Sequence, residues 1–284
     1  MRKLAITTAA ALTALAAFCV WGDWGEWVYE GQWGSPGTGN GEFRSPVRLA
    51  LAAGTGDVYV ADWRNLNVQY FTRAGSFLGK WDQRSRVALA FAPNRWRYQA
   101  DVDNHRVEYF DENGSFRGKW GTQGPGEGEF NGPMGLAVAR NGNVFVADTN
   151  NRRVQCFTYN GSFLDSWGST DRPADVAVAS SGKFYVAYSP DMGVAVAADT
   201  GLVYVTDTEN HRIQYYTAGG SLLGKIGSQG SGDGEFKQPS DVAFSLNGAH
   251  LYVTDTGNSR IQYFKYIKFA VSPASLGRVK ALFR

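Results

Sequence analysis

Five short segments of this 284-residue chain repeat one order of side chains: DWRNLNVQYF from residue 62, DVDNHRVEYF from 101, DTNNRRVQCF from 148, DTENHRIQYY from 207 and DTGNSRIQYF from 255. An acid, an amide and a base in one frame could do either of two kinds of chemistry. They could bind and polarise a substrate. Alternatively, Asp could cap the N–H groups of a turn, Asn could tolerate its tight backbone, and Arg could lie across the strand onto a neighbouring carboxylate. Recurrence separates the two, because a catalytic set is needed once and a turn device in every unit. Asp62, Asp101, Asp148, Asp207 and Asp255, with Asn104, Asn210 and Asn258 and with Arg106, Arg153, Arg212 and Arg260, therefore read as fold devices. The first copy keeps the rest while placing Asn67 where the others have Arg.

Such turns need strands on either side. The repeated Asp residues are spaced by 39, 47, 59 and 48 positions, the period of a stacked repeat array. Around each the order is constant: a Pro-started run such as Pro133-Met134-Gly135 leads into LAVA, an Asn-Gly turn follows, then VFVAD, the Asp-x-x-Asn turn, RVQCF, a Gly turn and SFLDSW. Each apolar run is short, alternates or nearly so, and is bounded by Gly, Asn or Pro, which is the signature of strands and hairpins. One unit is a four-stranded antiparallel sheet with strands a, b, c and d in chain order. Such sheets bury both faces by stacking in a ring, so the fold class is all-β, a β-propeller. The 35 Gly, 14% aromatic and 19% charged residues suit this class and exclude a helical bundle or a disordered chain. WVYEGQWG (27–34) matches the strand d pattern of SFLGKW (76–81), although no a, b or c strand precedes it, while the unit from Pro239 to Phe264 lacks a d strand. The amino-terminal strand is expected to complete the last blade and close the ring.

In an alternating four-stranded blade the b–c turns share a face with the d-to-a connectors, which carry GNGEF, GEGEF and GDGEF. These glycine runs join strand to strand, with no helix N-terminus to hold a phosphate, so they read as connectors that plug Phe43, Phe130 and Phe236 between sheets and leave Glu42, Glu129 and Glu235 to meet an Arg. His105 and His211 fall in b–c turns and His250 follows an a–b turn, short of the three or four convergent ligands that zinc requires. No Ser-His or Cys-His pair can be assembled from turn histidines. Arg48, Asp175, Asp191 and Asp241 stand at the starts of strand a and are expected to line the axial mouth. Two or three Asp supply a calcium ion only weakly, so the mouth reads as an unfilled polar channel. No cofactor is predicted, with axial calcium or zinc left open. Trp33, Trp81, Trp120 and Trp167 recur at the end of strand d and read as core. Trp63 and its neighbour Arg64 do not repeat and are the expected exposed contact for a ligand, with Arg48, Asp175 and Asp241 as further ligand-binding candidates.

The Gly-Glu-Phe loops, the P-x-x-V/L-A starts, the Y/F-V-A/T-D strands and the D-x-x-N-x-R-I/V-Q turns together resemble the NHL family of propellers over residues 27–267. The resemblance implies six blades. The chain departs from it where PADVAVASSGKFYVAYS (173–189) runs directly into PDMGVAVAADTGLVYVTD (190–207), two a–b hairpins with no c or d strand between them. The expectation is six blades with a truncated fourth, the alternative being five blades plus an extra hairpin. An unpaired edge at KFYVAYS (183–189) would then be the least protected part of the ring and a site of partner docking or self-association. Propellers resembling this one include amidating lyases with axial zinc on His at the strand a starts. The matching positions here, Val47, Met134, Ala174, Asp191 and Ser240, contain none. Gluconolactonase-like propellers, similar in the same way, hold an axial divalent ion on carboxylates and amides.

The amino end is a separate object. MRK followed by LAITTAAALTALAAF and the Ala14-Leu15-Ala16 site reads as a secretory signal spanning 1–16, with an uncleaved anchor as the alternative, a linker over 17–26, the propeller over 27–267 and a basic tail over 268–284. Loss of Arg2 and Lys3 with that signal leaves 26 basic against 26 acidic residues, which argues against nucleic acid as a partner. Cys19 and Cys156 form no disulfide framework, and Cys156 occupies a strand slot held by Tyr in the other copies. The sequence thus reads as an extracytoplasmic, non-enzymatic binding or scaffold module contacting protein or glycan through its b–c turn face, and the membrane only if the signal is uncleaved. The competing class is an extracytoplasmic metal-dependent lyase or lactonase.

Overall fold

The computed structural model describes residues 24–189, 192–245 and 247–269. The expected signal 1–16, Cys19, Asp191 and the tail beyond Phe269 lie outside the described residues. The described residues divide into two units, Tyr29–Phe264 and a second that contains 24–28 and 265–269. In the second, the rings of Trp27 and Tyr266 pack with centroids 5.1 Å apart.

The larger unit is an all-β propeller. The first blade consists of Pro46–Leu51, Val58–Asp62, Asn67–Phe71 and Phe77–Asp82. The second is Val87–Phe91, Arg97–Asp101, Arg106–Phe110 and Phe116–Trp120, and the third Pro133–Val138, Val144–Asp148, Arg153–Phe157 and Phe163–Gly168. A two-stranded hairpin follows, Asp175–Val178 with Phe184–Ala187. The 194–226 blade is Val194–Val196, Val203–Asp207, Arg212–Tyr216 and Leu222–Ile226. In the last sheet the strand order is Trp24–Trp33, Arg260–Phe269, His250–Asp255, Pro239–Phe244. Among the described residues five sheets are thus four-stranded, and the hairpin is not extended by a third strand.

The pattern of side chains follows from position in the sheet. Strand b of the third blade, VFVAD, is buried at every residue because sheets cover both of its faces. Strand d of the first blade, FLGKWD, alternates half-buried and exposed residues because successive side chains point to opposite faces of the sheet and only one face is covered at the rim. The innermost strands pack in sequence around one axis, each on the next: 46–51 on 87–91, then 133–138, 175–178, 194–196, 239–244 and back to 46–51. The core lies in the seams between sheets. Phe130, Tyr98, Val107, Val144 and Phe157 fill the seam between the second and third blades. Phe43, Tyr252, Ile261, Val58 and Phe71 fill the seam between the last blade and the first. Cys156 is buried in a third cluster with Phe145, Ala147 and Val176, and burial pushes its thiol up to about 11.

Candidate functional site

The repeated Asp residues are consumed by their own turns. Asp148 accepts the Asn131 N–H at 2.7 Å on one oxygen and Asn151 Nδ2 (2.9 Å), Arg153 Nε (2.7 Å) and Gln155 Nε2 (3.1 Å) on the other. Arg153 also donates to the carbonyl of Glu129 at 2.9 Å, and Asn151 to that of Gly124 at 2.8 Å. Asp255 repeats this with Lys237 N–H, Asn258, Arg260 and Gln262. Asp62 accepts the N–H groups of Arg44, Arg64 and Asn65. One acid thus fastens its turn, its own Arg and the preceding connector.

Two expectations about these turns are corrected, those for the connector Glu residues and for the turn Asn, while the Arg geometry follows the pattern of the sequence. Arg153, Arg212 and Arg260 lie across the strand pair onto the carboxylate opposite, that of the Asp five residues earlier, each at 2.7 Å. Glu42, Glu129 and Glu235 meet Arg only through backbone, where they meet it at all. Their carboxylates instead accept the N–H of Gly39, Gly126 and Gly232, because a carboxylate three residues after a glycine N–H closes a tight loop on itself. The left-handed residue of each turn is the one after Asn: Leu66, His105, Arg152, His211 and Ser259, with φ between 49° and 57°. His105 and His211 use that slot to reach the next connector, their Nδ1 atoms accepting the N–H of Gly132 (2.9 Å) and Gln238 (3.0 Å).

At the axis the inner strands bring Arg48, Asp175 and Asp241 together. Arg48 is buried; its Nη2 donates to the carbonyl of Ala174 at 2.9 Å, its Nε to that of Met134 at 3.3 Å, and its Nη1 lies 4.0 Å from Asp175 Oδ2 without a hydrogen bond. Asp175 accepts the Val194 N–H at 3.1 Å, and Asp241 accepts those of Leu49 and Val242, both at 2.8 Å. Each acid therefore hooks the next inner strand. A Cβ on Gly135 would stand 2.5 Å from Asp175 Oδ1, and one on Gly193 would stand 2.3 Å from Asp241 Oδ1, so glycine is required where each carboxylate leans on the sheet before it. Burial raises both carboxyls, the nearby Asp175 charge adds to the effect on Asp241, and Arg48 opposes it; Asp241 reaches about 7. The three side chains sit at one end of an axial channel of about 640 Å³, bordered elsewhere largely by Ala, Val and Leu and by Arg140.

These residues do not fit an axial divalent ion. Asp175 Oδ2 and both Asp241 oxygens already accept backbone N–H groups, a hard cation wants six or more oxygens, and the cation present is the guanidinium of Arg48. Among the described residues no three His, Cys, Asp or Glu converge as metal ligands.

Trp63 is not the exposed contact expected. It is half-buried, donates its indole N–H to the Val87 carbonyl at 2.9 Å, and has the guanidinium carbons of Arg48 and Arg86 over its ring at 5.9 and 5.5 Å. It lies against the axial Arg48, a role visible only once the ring is closed. Arg64 beside it is exposed. Of the four recurrent Trp residues, Trp167 departs from the core assignment, being 37% exposed.

The NHL repeat family model matches residues 130–157, 193–216 and 236–264. No curated protein sequence matches the chain. Among solved structures, a gluconolactonase from Xanthomonas campestris is similar with a TM-score of 0.64 at 13% identity, covering 86% of this chain and 98% of that one. A streptogramin B lyase is similar with a TM-score of 0.59 at 10% identity, covering 86% and 98%. A Kuenenia stuttgartiensis hydrazine synthase chain has a TM-score of 0.57 at 11% identity, covering 83% and 99%. At these identities the likeness is one of fold.

Proposed function

We propose that this chain, an NHL-repeat β-propeller, is an exported binding module that contacts protein or glycan through its b–c turn face. The observation that carries the reading is the division of labour inside the turn. Asp, Asn and Arg are spent on the frame, while the second residue after each Asp is Arg64, Asp103, Asn150, Glu209 or Gly257, all exposed and all different. A rigid frame presenting variable side chains is what recognition needs, and none of the frame residues is left to react. The expected result is that Arg64→Glu combined with Glu209→Arg abolishes capture on a glycan array, or by a cross-linked extracytoplasmic protein, at unchanged melting temperature. Hydrolysis of a sugar lactone that EDTA abolishes would move the chain to the enzyme reading, which the shared fold with a gluconolactonase favours.

The same reading treats the ring as six sectors, the fourth reduced to the hairpin at 175–187 and the last blade completed by Trp24–Trp33. It is supported by the closed circuit of inner strands and by the strand order of the last sheet. Export rests on the apolar run after MRK and the Ala14-Leu15-Ala16 site. Mass spectrometry of protein from its host is expected to give Ala17 as the first residue, and an intact Met1 in a membrane fraction would establish an anchor instead.

A further inference from the structure

The hairpin leaves a notch in the outer wall, and its lining differs from every other seam. Lys183 and Ala187 spend their carbonyls on the inner strand, accepting the N–H of Ala179 at 2.8 Å and of Ala174 at 2.7 Å. Strand alternation therefore turns the N–H and C=O groups of Phe184 and Val186 outward, where no strand among the described residues pairs with them. The register Val178↔Phe184 against Val138↔Val144 places Tyr188, 46% exposed, in the slot of the repeated Asp, so the acid that fastens a b–c turn is lost along with the turn.

The missing strands also leave side chains uncovered. Trp33 and Trp120 are covered by an aromatic of the following c strand, Phe71 and Phe157, each at 5.7 Å. Trp167 receives only Phe184 from the hairpin, at 4.8 Å, and stays exposed. In the other blades a c-strand Tyr lies over a d-strand Gly, as Tyr70 does over Gly79 and Tyr215 over Gly224, and a Cβ there would stand 2.5 Å or less from the hydroxyl. The third blade instead pairs Cys156 with Asp165, whose exposed carboxylate stands on the same face of strand d as Trp167.

We propose that this notch binds an extended segment of a partner polypeptide, which adds antiparallel to Phe184–Ala187, seats an aromatic side chain opposite Phe184 on Trp167, and carries a flanking Lys or Arg that meets Asp165. This is a surface separate from the b–c turn face. A second copy using the same edge does not fit. With strands spaced about 4.8 Å apart, two missing strands set the edge back by roughly 10 Å behind its neighbours, beyond the reach of an equally recessed strand. A lone extended chain can enter, and backbone pairing supplies affinity while alternate side chains supply selectivity.

The test uses the full chain and the peptide NSRIQYFKY, capped at both ends, as a stand-in for the missing c strand. Isothermal titration is expected to show one-to-one binding. Hydrogen exchange of Phe184 and Val186, fast without peptide, should slow, while Val146 remains slow throughout. Replacing the peptide's Phe by Ala, or Trp167→Ala in the protein, should weaken binding about 10-fold or more, as for a central aromatic anchor. Val186→Pro removes an outward N–H that the hairpin does not use, and should do the same with the melting temperature retained. Binding unchanged in both Trp167→Ala and Val186→Pro would overturn the proposal. So would concentration-dependent dimers that protect Phe184 and Val186 without peptide.

Discussion

Arg48→Leu is expected to cost about 3–5 kcal/mol of stability at neutral pH, the usual result of removing one partner from a buried ion pair. The substitution leaves Asp175 and Asp241 as buried neighbours without a cation and frees the carbonyls of Met134 and Ala174. The loss should depend on pH in a defined direction. Asp241 holds its proton to about pH 7 in the folded protein, whereas the unfolded chain releases it in the ordinary carboxylate range. Between those values folding binds a proton, so this group's contribution is full at low pH and falls as pH rises through about 7. Without the guanidinium both carboxyls move higher and the window extends upward. Urea midpoints of the variant should therefore approach those of the parent near pH 5 and diverge by pH 8. A constant difference across that range would mean that the acids are compensated elsewhere.

Asp255→Ala should be the most damaging of the repeat substitutions, and Asp207→Ala the mildest. Asp255 is fully buried and receives Lys237, Asn258, Arg260 and Gln262, so its removal leaves the buried Arg260 without a counter-ion, at about 3–5 kcal/mol. Asp207 lacks a Gly-Glu-Phe connector before its blade. Its side chain is 18% exposed, and among the described residues only Asn210 and Arg212 donate to it, so about 0.5–2 kcal/mol is expected. Thermal denaturation of the two variants side by side decides the matter. Equal losses would show that the connector adds nothing to the turn.

Much of this was legible in the sequence because repetition calibrates itself. The break at 173–207 stood out only because five ordered copies defined what was missing. The meeting of Arg48, Asp175 and Asp241 followed from one rule, that starts of inner strands converge on an axis. The misreadings share a different cause. Whether Glu129 offers Arg153 its carboxylate or its carbonyl depends on how its loop closes on the Gly126 N–H, which residue type does not encode. Trp63 was placed on the surface because it does not repeat, yet a residue that serves a single axial Arg is also needed once. Trp167 was assigned to the core by analogy with its three counterparts, and the protection it lacks belongs to strands absent further along the chain.

The connectors bearing Phe43, Phe130 and Phe236 precede only the first, third and last blades, and each Phe is fully buried. These plugs group the sheets unevenly: the 194–226, last and first blades form one block, the second and third another, and the hairpin stands between them with no plug on either side. Thermal breathing should part the ring at the unplugged seams, so its subglobal openings come in blocks and not blade by blade. Arg48, rooted in the first block, reaches across the axis to Met134 of the second and to Ala174 at the foot of the hairpin. It acts as a keystone, and one guanidinium is expected to limit that breathing.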